Sequence, residues 1–203
     1  MAVQTQDQLY VGKRRQIRMG LFLQTAVIPD CTETMAREAL ERVARRQPSN
    51  ECDMELHPDA CRFAVHGTGV SILFEEDFAG FEDIAGTLST ETGRPVLLLY
   101  IYDGDFWGYF LCDKGEVVDA FSPMPDYFDE ISEEMQEQMK GNAALIAQYF
   151  HVEVSSIDRY LIFWTEDVFE EEEKKAYEDD EFVIGEDWQM ADFMRKLGYP
   201  YEW

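Results

Sequence analysis

Residues 96–121, VLLLYIYDGDFWGYFLCDKGEVVDAF, contain three apolar runs separated by two short polar turns. The first run is apolar throughout, which is typical of a central strand covered on both faces. Asp103-Gly104 favours the positive φ angles of a type I′ turn, and residues 113–115 provide a second tight turn. The stretch therefore predicts a β-meander of three antiparallel strands at the centre of the fold.

The rest of the chain supplies strands first and helices later. A helix is expected from Thr32, with one apolar stripe, and a second from about Phe81 to Glu91. The predicted strands of the first part cover residues 20–28, 52–56, 61–66 and 70–76. The helices predicted in the second part cover residues 132–140, 143–150, 156–164 and 187–197, with YLIFW, 160–164, alternatively a short buried strand. This order indicates an α+β fold, an antiparallel sheet packed by helices.

Charge and cysteine content restrict the class of protein. The chain has 42 acidic and 17 basic residues, and from Asp103 to the end there are 27 acids against seven bases. A field of this sign repels nucleic acid and anionic membranes and attracts basic proteins. The four cysteines form no C-x-x-C pair, and the opening residues lack the apolar core of a signal peptide. We therefore expect a cytoplasmic protein that binds neither nucleic acid nor membranes.

Residues 1–18 form a separate segment with the opposite charge. They contain four bases and one acid, and the Lys13-Arg14-Arg15 run is compatible with the codons of a bacterial ribosome-binding site. Met19 follows at the spacing of a start codon, directly before the first predicted strand. We therefore expect residues 1–18 to be an N-terminal extension, a translated leader if Met19 is the native start, and residues 19–203 to be a single α+β domain.

Catalytic and metal-binding motifs are weak in this sequence. It lacks a P-loop, a G-x-G-x-x-G run and an H-E-x-x-H run, so no cofactor is expected. Asp103 and Asp105 form a D-x-D pair that could chelate a divalent metal, although a D-G turn already explains Asp103. We therefore expect no catalytic residues and no metal site. The alternative is a carboxylate-dependent or metal-assisted enzyme centred on this turn and the 121–128 loop.

Two aromatic features near the meander are candidate binding residues. Trp107 and Tyr109 alternate along the returning strand beside Gly108, so they predict either an exposed interaction patch or a face covered by a helix layer. The loop FSPMPDYF, 121–128, is stiffened by two prolines and presents Asp126 and Tyr127. Its aromatic residues could alternatively plug into the core.

The segment ALIAQYFHVEVSSIDRYL, 144–161, has the spacing of a helix-turn-helix. In DNA-binding versions the turn residue is usually glycine, whereas this chain has His151. The second helix would offer Arg159 alone as a base, in a half of the chain with a net charge of −20. An angled helix pair is therefore predicted without DNA recognition.

The strongest acidic run, EDVFEEEEKKAYEDDEF at 166–182, contains ten acids and two lysines. Pairs of Glu and Lys four residues apart favour a solvated helix. Glu178, Asp179, Asp180 and Glu181 have no basic neighbours in the sequence and could imitate a phosphate backbone. Together these features favour a protein that acts by binding a basic partner, such as a toxin or nuclease that it neutralises.

Overall fold

The computed structural model describes residues 20–46, 56–75, 78, 80–170 and 174–203. The predicted strand at 52–56, except Leu56, and the 1–18 extension lie outside these residues. The described strands are β1 Leu23–Ile28, β2 Arg62–His66, β3 Gly69–Leu73, β4 Val96–Tyr102, β5 Phe106–Asp113 and β6 Glu116–Phe121. The described α-helices are α1 Glu33–Arg46, α2 Phe81–Thr92, α3 Glu133–Gln138, α4 Ala143–Phe150, α5 Glu166–Glu170 and α6 Gln189–Lys196.

The strands form one antiparallel sheet in the order β2-β3-β1-β4-β5-β6. β4, β5 and β6 are consecutive both in the chain and in the sheet, so the predicted meander is confirmed. Helices packed on the sheet and a helical C-terminal part make the fold α+β, as the sequence predicts.

The β4–β5 turn has the backbone conformation that its sequence favours. Asp103 has φ of 53° and Gly104 has φ of 71°, the two positive values that a type I′ turn requires. The turn joins the cross-strand pair Tyr102 and Phe106, whose rings stack with centroids 5.8 Å apart. Turn chemistry thus places two aromatic rings side by side at one end of the sheet.

The two faces of the sheet are covered by different helices. On one face Tyr100 packs edge-to-face against Phe81 of α2. On the other face Trp107 and Tyr109 pack against Phe193 of α6, with centroids 5.2 and 6.0 Å away. Both side chains are fully buried, so the exposed Trp107–Tyr109 patch is wrong and the covering helix layer is correct.

The segment after α4 is not the predicted helix. α4 ends at His151, which has φ of 56°, and two 3₁₀ turns follow at Val154–Ser156 and Asp158–Tyr160. Residues 161–164 belong to no helix or strand, and the backbone N–H of Trp164 donates to the Pro123 carbonyl. Because residues 154–160 form two short 3₁₀ turns and not a second α-helix, the helix-turn-helix prediction is wrong.

Candidate functional site

A cluster of aromatic side chains lies at the end of the sheet where β4 turns into β5. The chain before β1 meets this turn, because the Gly104 N–H donates to the Leu21 carbonyl at 2.9 Å. The 121–128 loop reaches the same place from the end of β6. We name this cluster the tip patch and define it by six residues: Leu21, Phe22, Tyr102, Phe106, Tyr127 and Phe128.

The rings of the tip patch are in direct contact. Phe128 packs nearly perpendicular to both Tyr102 and Tyr127, with centroids 5.0 Å apart in each pair. Phe22 makes a third perpendicular contact with Tyr102 at 5.0 Å. Despite these contacts, 65% of Phe128 is exposed, as is 37% of Leu21. The patch therefore presents aromatic surface to solvent on a base of packed rings.

The loop that carries Tyr127 and Phe128 is fixed at several points. The Tyr127 hydroxyl donates to the Asp105 carboxylate, and this bond together with nearby acidic charge raises the pKa of Tyr127 to about 12. The Tyr127 N–H donates to the Met124 carbonyl at 3.1 Å. Upstream, the Pro123 carbonyl accepts from Trp164 at 2.9 Å. The tip patch is thus largely preorganised, which reduces the entropy lost when a partner binds.

Negative charge surrounds the tip patch. Five exposed carboxylates lie in its turn and loop: Asp103, Asp105, Asp126, Asp129 and Glu130. The three segments that build it, 20–28, 96–113 and 115–130, contain neither lysine nor arginine. Burial raises the pKa of Asp187, and the negative charges of Glu186 and Asp105 add to that shift. A cation approaching this end of the sheet therefore meets an attractive field.

The tip patch combines carboxylates with aromatic rings. Among the described residues, no three His, Cys, Asp or Glu side chains are gathered as metal ligands. The Asp105 carboxylate already accepts a hydrogen bond from the Tyr127 hydroxyl. His66 lies on β2, where it contacts Ser71 and Tyr199. The aromatic rings and carboxylates of the patch are suited to contacting an organic cation, such as a lysine or arginine side chain.

The acidic turn, residues 174–182, folds back onto α6 and does not continue a solvated helix. The Asp180 carboxylate is fully buried and accepts hydrogen bonds from the Tyr160 hydroxyl and the Tyr177 N–H. Arg195 contacts Asp179 and Asp180 at 3.0 and 3.3 Å. Asp179 and Asp180 have no basic neighbours in the sequence, but the fold gives them one. Arg195 of α6, near the end of the chain, contacts both carboxylates.

Glu178 and Glu181 remain exposed at the surface of this turn. The backbone N–H groups of Glu181 and Phe182 donate to the Asp192 carboxylate of α6, at 2.9 and 2.8 Å. Arg195 also contacts Asp192 at 3.0 Å. The acidic turn is thus held by buried carboxylates, and only its outer side chains are free to meet a partner.

Asp179 provides a pH-dependent test of these contacts. Hydrogen bonds from Lys196 and Arg195 lower the pKa of Asp179 to about 2 from its ordinary 3.8. Because the folded pKa lies below the unfolded one, the stability from these contacts is present above about pH 4 and is lost as pH falls through about 2. An NMR titration of the Asp179 carboxyl carbon should have its midpoint near 2. In Lys196→Met the midpoint should rise towards 3.8, and an unchanged midpoint would contradict the assignment.

Sequence reasoning found part of the tip patch and missed the rest. Asp126 and Tyr127 were predicted as binding residues, and both lie at this end of the sheet. Tyr102, Phe22 and the exposed ring of Phe128 were not singled out. The Asp103-Gly104 turn is a signal in the sequence that places Tyr102 at the end of a strand, directly before the reversal of the chain. Nothing local in the sequence places Phe22 beside it.

Comparison of the chain with protein-family models, curated proteins and solved structures gives no match. No helix among the described residues is long and apolar enough to cross a membrane. The function must therefore be argued from the surface itself.

Proposed function

We propose that this protein acts by binding a basic protein partner through the tip patch. The observation that carries the proposal is the exposed Phe128 ring, supported by two other rings and surrounded by five carboxylates. Monomeric proteins seldom expose aromatic surface of this kind, and aromatic anchors supply much of the binding energy in interfaces. A lysine or arginine stem can lie on the ring while its charged end meets the flanking carboxylates.

Charge favours a partner of one sign. The net charge of −25 accelerates the encounter with a cationic protein and repels nucleic acid and anionic membranes. The role that this combination fits is neutralisation of a basic toxin or nuclease in the bacterial cytoplasm, without a cofactor. Glu178 and Glu181 lie on a second acidic surface, where they add to the attraction without an aromatic anchor.

The enzymatic alternative remains a prediction. A carboxylate-dependent or metal-assisted enzyme at the Asp103–Asp105 turn would need a base or a nucleophile beside the carboxylates. The tip patch offers Tyr127 there, whose phenol is protonated at neutral pH even at the ordinary pKa of 10, and the hydrogen bond to Asp105 raises that pKa further. No observation favours this alternative over binding.

The test is a quantitative capture experiment on lysate of the source cells. Wild type, Phe128→Ser and Val154→Ser are immobilised, and the recovered proteins are measured by mass spectrometry. Val154 is the matched control, because it is also an exposed apolar residue, 41% accessible, and lies in a 3₁₀ turn outside the tip patch. We expect a basic protein to be recovered by wild type and Val154→Ser and to fall about tenfold or more with Phe128→Ser.

The second part of the experiment varies the salt concentration. Recovery of the partner should fall at about 0.5 M salt, where surface charges are largely screened. Equal recovery by all three proteins, or recovery that is insensitive to salt, would contradict binding of a basic partner at the tip patch.

A further inference from the structure

A groove runs along the free edge of the sheet, away from the tip patch. Its inner wall is β6, whose outer side, within the described residues, makes one isolated bridge between Phe121 and Lys140. Its outer wall is α3 and the segment that follows. The groove encloses about 850 Å³, and we name it the edge groove; it is lined by residues 117–120, Met135 and residues 137–143.

Apolar side chains are exposed along the edge groove. Val117, Val118 and Met135 are 49%, 40% and 52% accessible, and all three line it. Edge strands are usually protected by charged side chains, because an unpaired edge accepts a strand from another protein. Methionine adapts its shape to different side chains, which suits a surface that receives a peptide. The groove therefore combines an available strand edge with apolar contact surface.

The groove is held open by hydrogen bonds at its base. The Tyr109 hydroxyl donates to the Asp119 carboxylate at 2.7 Å, and the Asn142 N–H donates to the same oxygen at 2.9 Å. The Ser122 N–H donates to the Met139 carbonyl at 2.9 Å. The second and third bonds connect β6 and the residue after it to the opposite wall, and the first fixes the Asp119 carboxylate that the second one uses, so the shape exists before any ligand arrives.

The charges around the groove select its occupant. Residues 116–120 and 133–143, which form its walls, contain five acids, and their one lysine, Lys140, is paired with Glu137. A second copy of this chain would bring the same negative charge to the groove, so pairing of two β6 edges is opposed. An extended segment with basic side chains is attracted.

We propose that the edge groove binds an extended protein segment of alternating apolar and basic residues, which pairs with β6 as an added strand. The backbone of the segment bonds to the strand edge, its apolar side chains contact Val117, Val118 and Met135, and its bases meet the surrounding carboxylates. This site shares no residue with the tip patch, and it does not depend on the function proposed there.

The probe is a fluorescent eight-residue peptide of alternating lysine and valine, titrated against the purified protein by anisotropy. Two comparison peptides have glutamate in place of lysine, or N-methyl groups on alternate backbone amides. We expect both to bind at least about tenfold more weakly, because the first reverses the charge and the second blocks strand pairing. Binding of the N-methylated peptide equal to that of the parent would overturn strand addition.

Matched variants locate the site. Val117→Lys combined with Met135→Lys should weaken peptide binding about tenfold or more. Val65→Lys, on the opposite edge strand β2 and 59% exposed in the wild type, is the control and should retain wild-type affinity. Thermal unfolding of each variant checks that it is folded.

Three further outcomes decide the proposal. Amide hydrogen exchange should slow in residues 116–119 when the peptide binds, and an unchanged rate there would contradict pairing. Dimerisation of the protein alone that is lost in the double variant would assign the groove to a second copy and overturn a basic segment as its occupant. Phe128→Ser should bind the peptide like the wild type, which separates this test from that of the tip patch.

Discussion

Replacing Trp107 with alanine should lower the free energy of unfolding by about 3–5 kcal/mol, as truncation of buried aromatic residues does. The side chain is fully buried between the sheet and α6, with the Phe121 and Phe193 rings 5.1 and 5.2 Å away. Its indole N–H also donates to the Gln189 side chain at 3.3 Å, so truncation leaves a buried polar group without its partner. Urea denaturation measures the change.

Phe128→Ala is the matched control for this prediction. It removes an aromatic ring of similar kind from the tip patch, where 65% of the residue is exposed. We expect a loss of about 1 kcal/mol or less, because exposed substitutions rarely cost more. If Trp107→Ala cost no more than Phe128→Ala, the placement of Trp107 in the core would be wrong, and an exposed patch on β5 would return as a candidate.

Replacing Asp180 with alanine should also cost about 3–5 kcal/mol, since removing one partner of a buried ion pair leaves the other groups unsatisfied. The Asp180 carboxylate is completely inaccessible and receives the Tyr160 hydroxyl, the Tyr177 N–H and Arg195. The Tyr160 ring is itself fully buried, so its hydroxyl has no access to replacement water. Urea denaturation again gives the change in free energy.

The control for Asp180 is its exposed neighbour Glu178. Glu178→Ala removes one negative charge from the same turn and should change the free energy of unfolding by about 0.5 kcal/mol or less. Similar small effects of both substitutions would mean that the acidic turn is a solvated surface, as the sequence alone suggests. Equal large effects would mean that Glu178 has a structural role that its exposure does not indicate.

The sequence predicts the centre of this fold well because the information there is local. The Asp103-Gly104 turn marks where the chain reverses between β4 and β5, and alternation along β5 divides its side chains between two faces. The face that carries Trp107 is covered by α6, which lies more than 80 residues later in the chain. Local pattern therefore left the exposure of Trp107 and Tyr109 undecided.

The acidic turn is a region that local sequence patterns do not predict. Charge spacing at 166–182 predicts one helix. The described part of α5 is Glu166–Glu170, and residues 174–182 are not helical but are organised by contacts with α6. Arg195 contacts three carboxylates, those of Asp179, Asp180 and Asp192, and Lys196 contacts Asp179 as well. These bonds join residues that are distant in sequence, so they satisfy buried carboxylates in a way that no local spacing rule anticipates.

For the candidate site, too, the sequence predicts the local parts but not how they pack together. The sequence identifies both the stiff 121–128 loop and the β4–β5 turn at Asp103, since prolines and D-G pairs are local signals. Their meeting at one end of the sheet follows from the length of β4, β5 and β6 and from the return of the chain at Trp164. The exposure of the Phe128 ring depends on how this loop and this turn pack together.

The central claim, that the tip patch docks a basic protein, is tested most directly by photo-crosslinking inside the source cells. A benzophenone amino acid is placed at position 128 and, as control, at position 154, which is exposed outside the patch. We expect a covalent adduct at position 128 with a protein that has more Lys and Arg than Asp and Glu, and no such adduct at position 154. No adduct at position 128, or the same adducts at both positions, would contradict it.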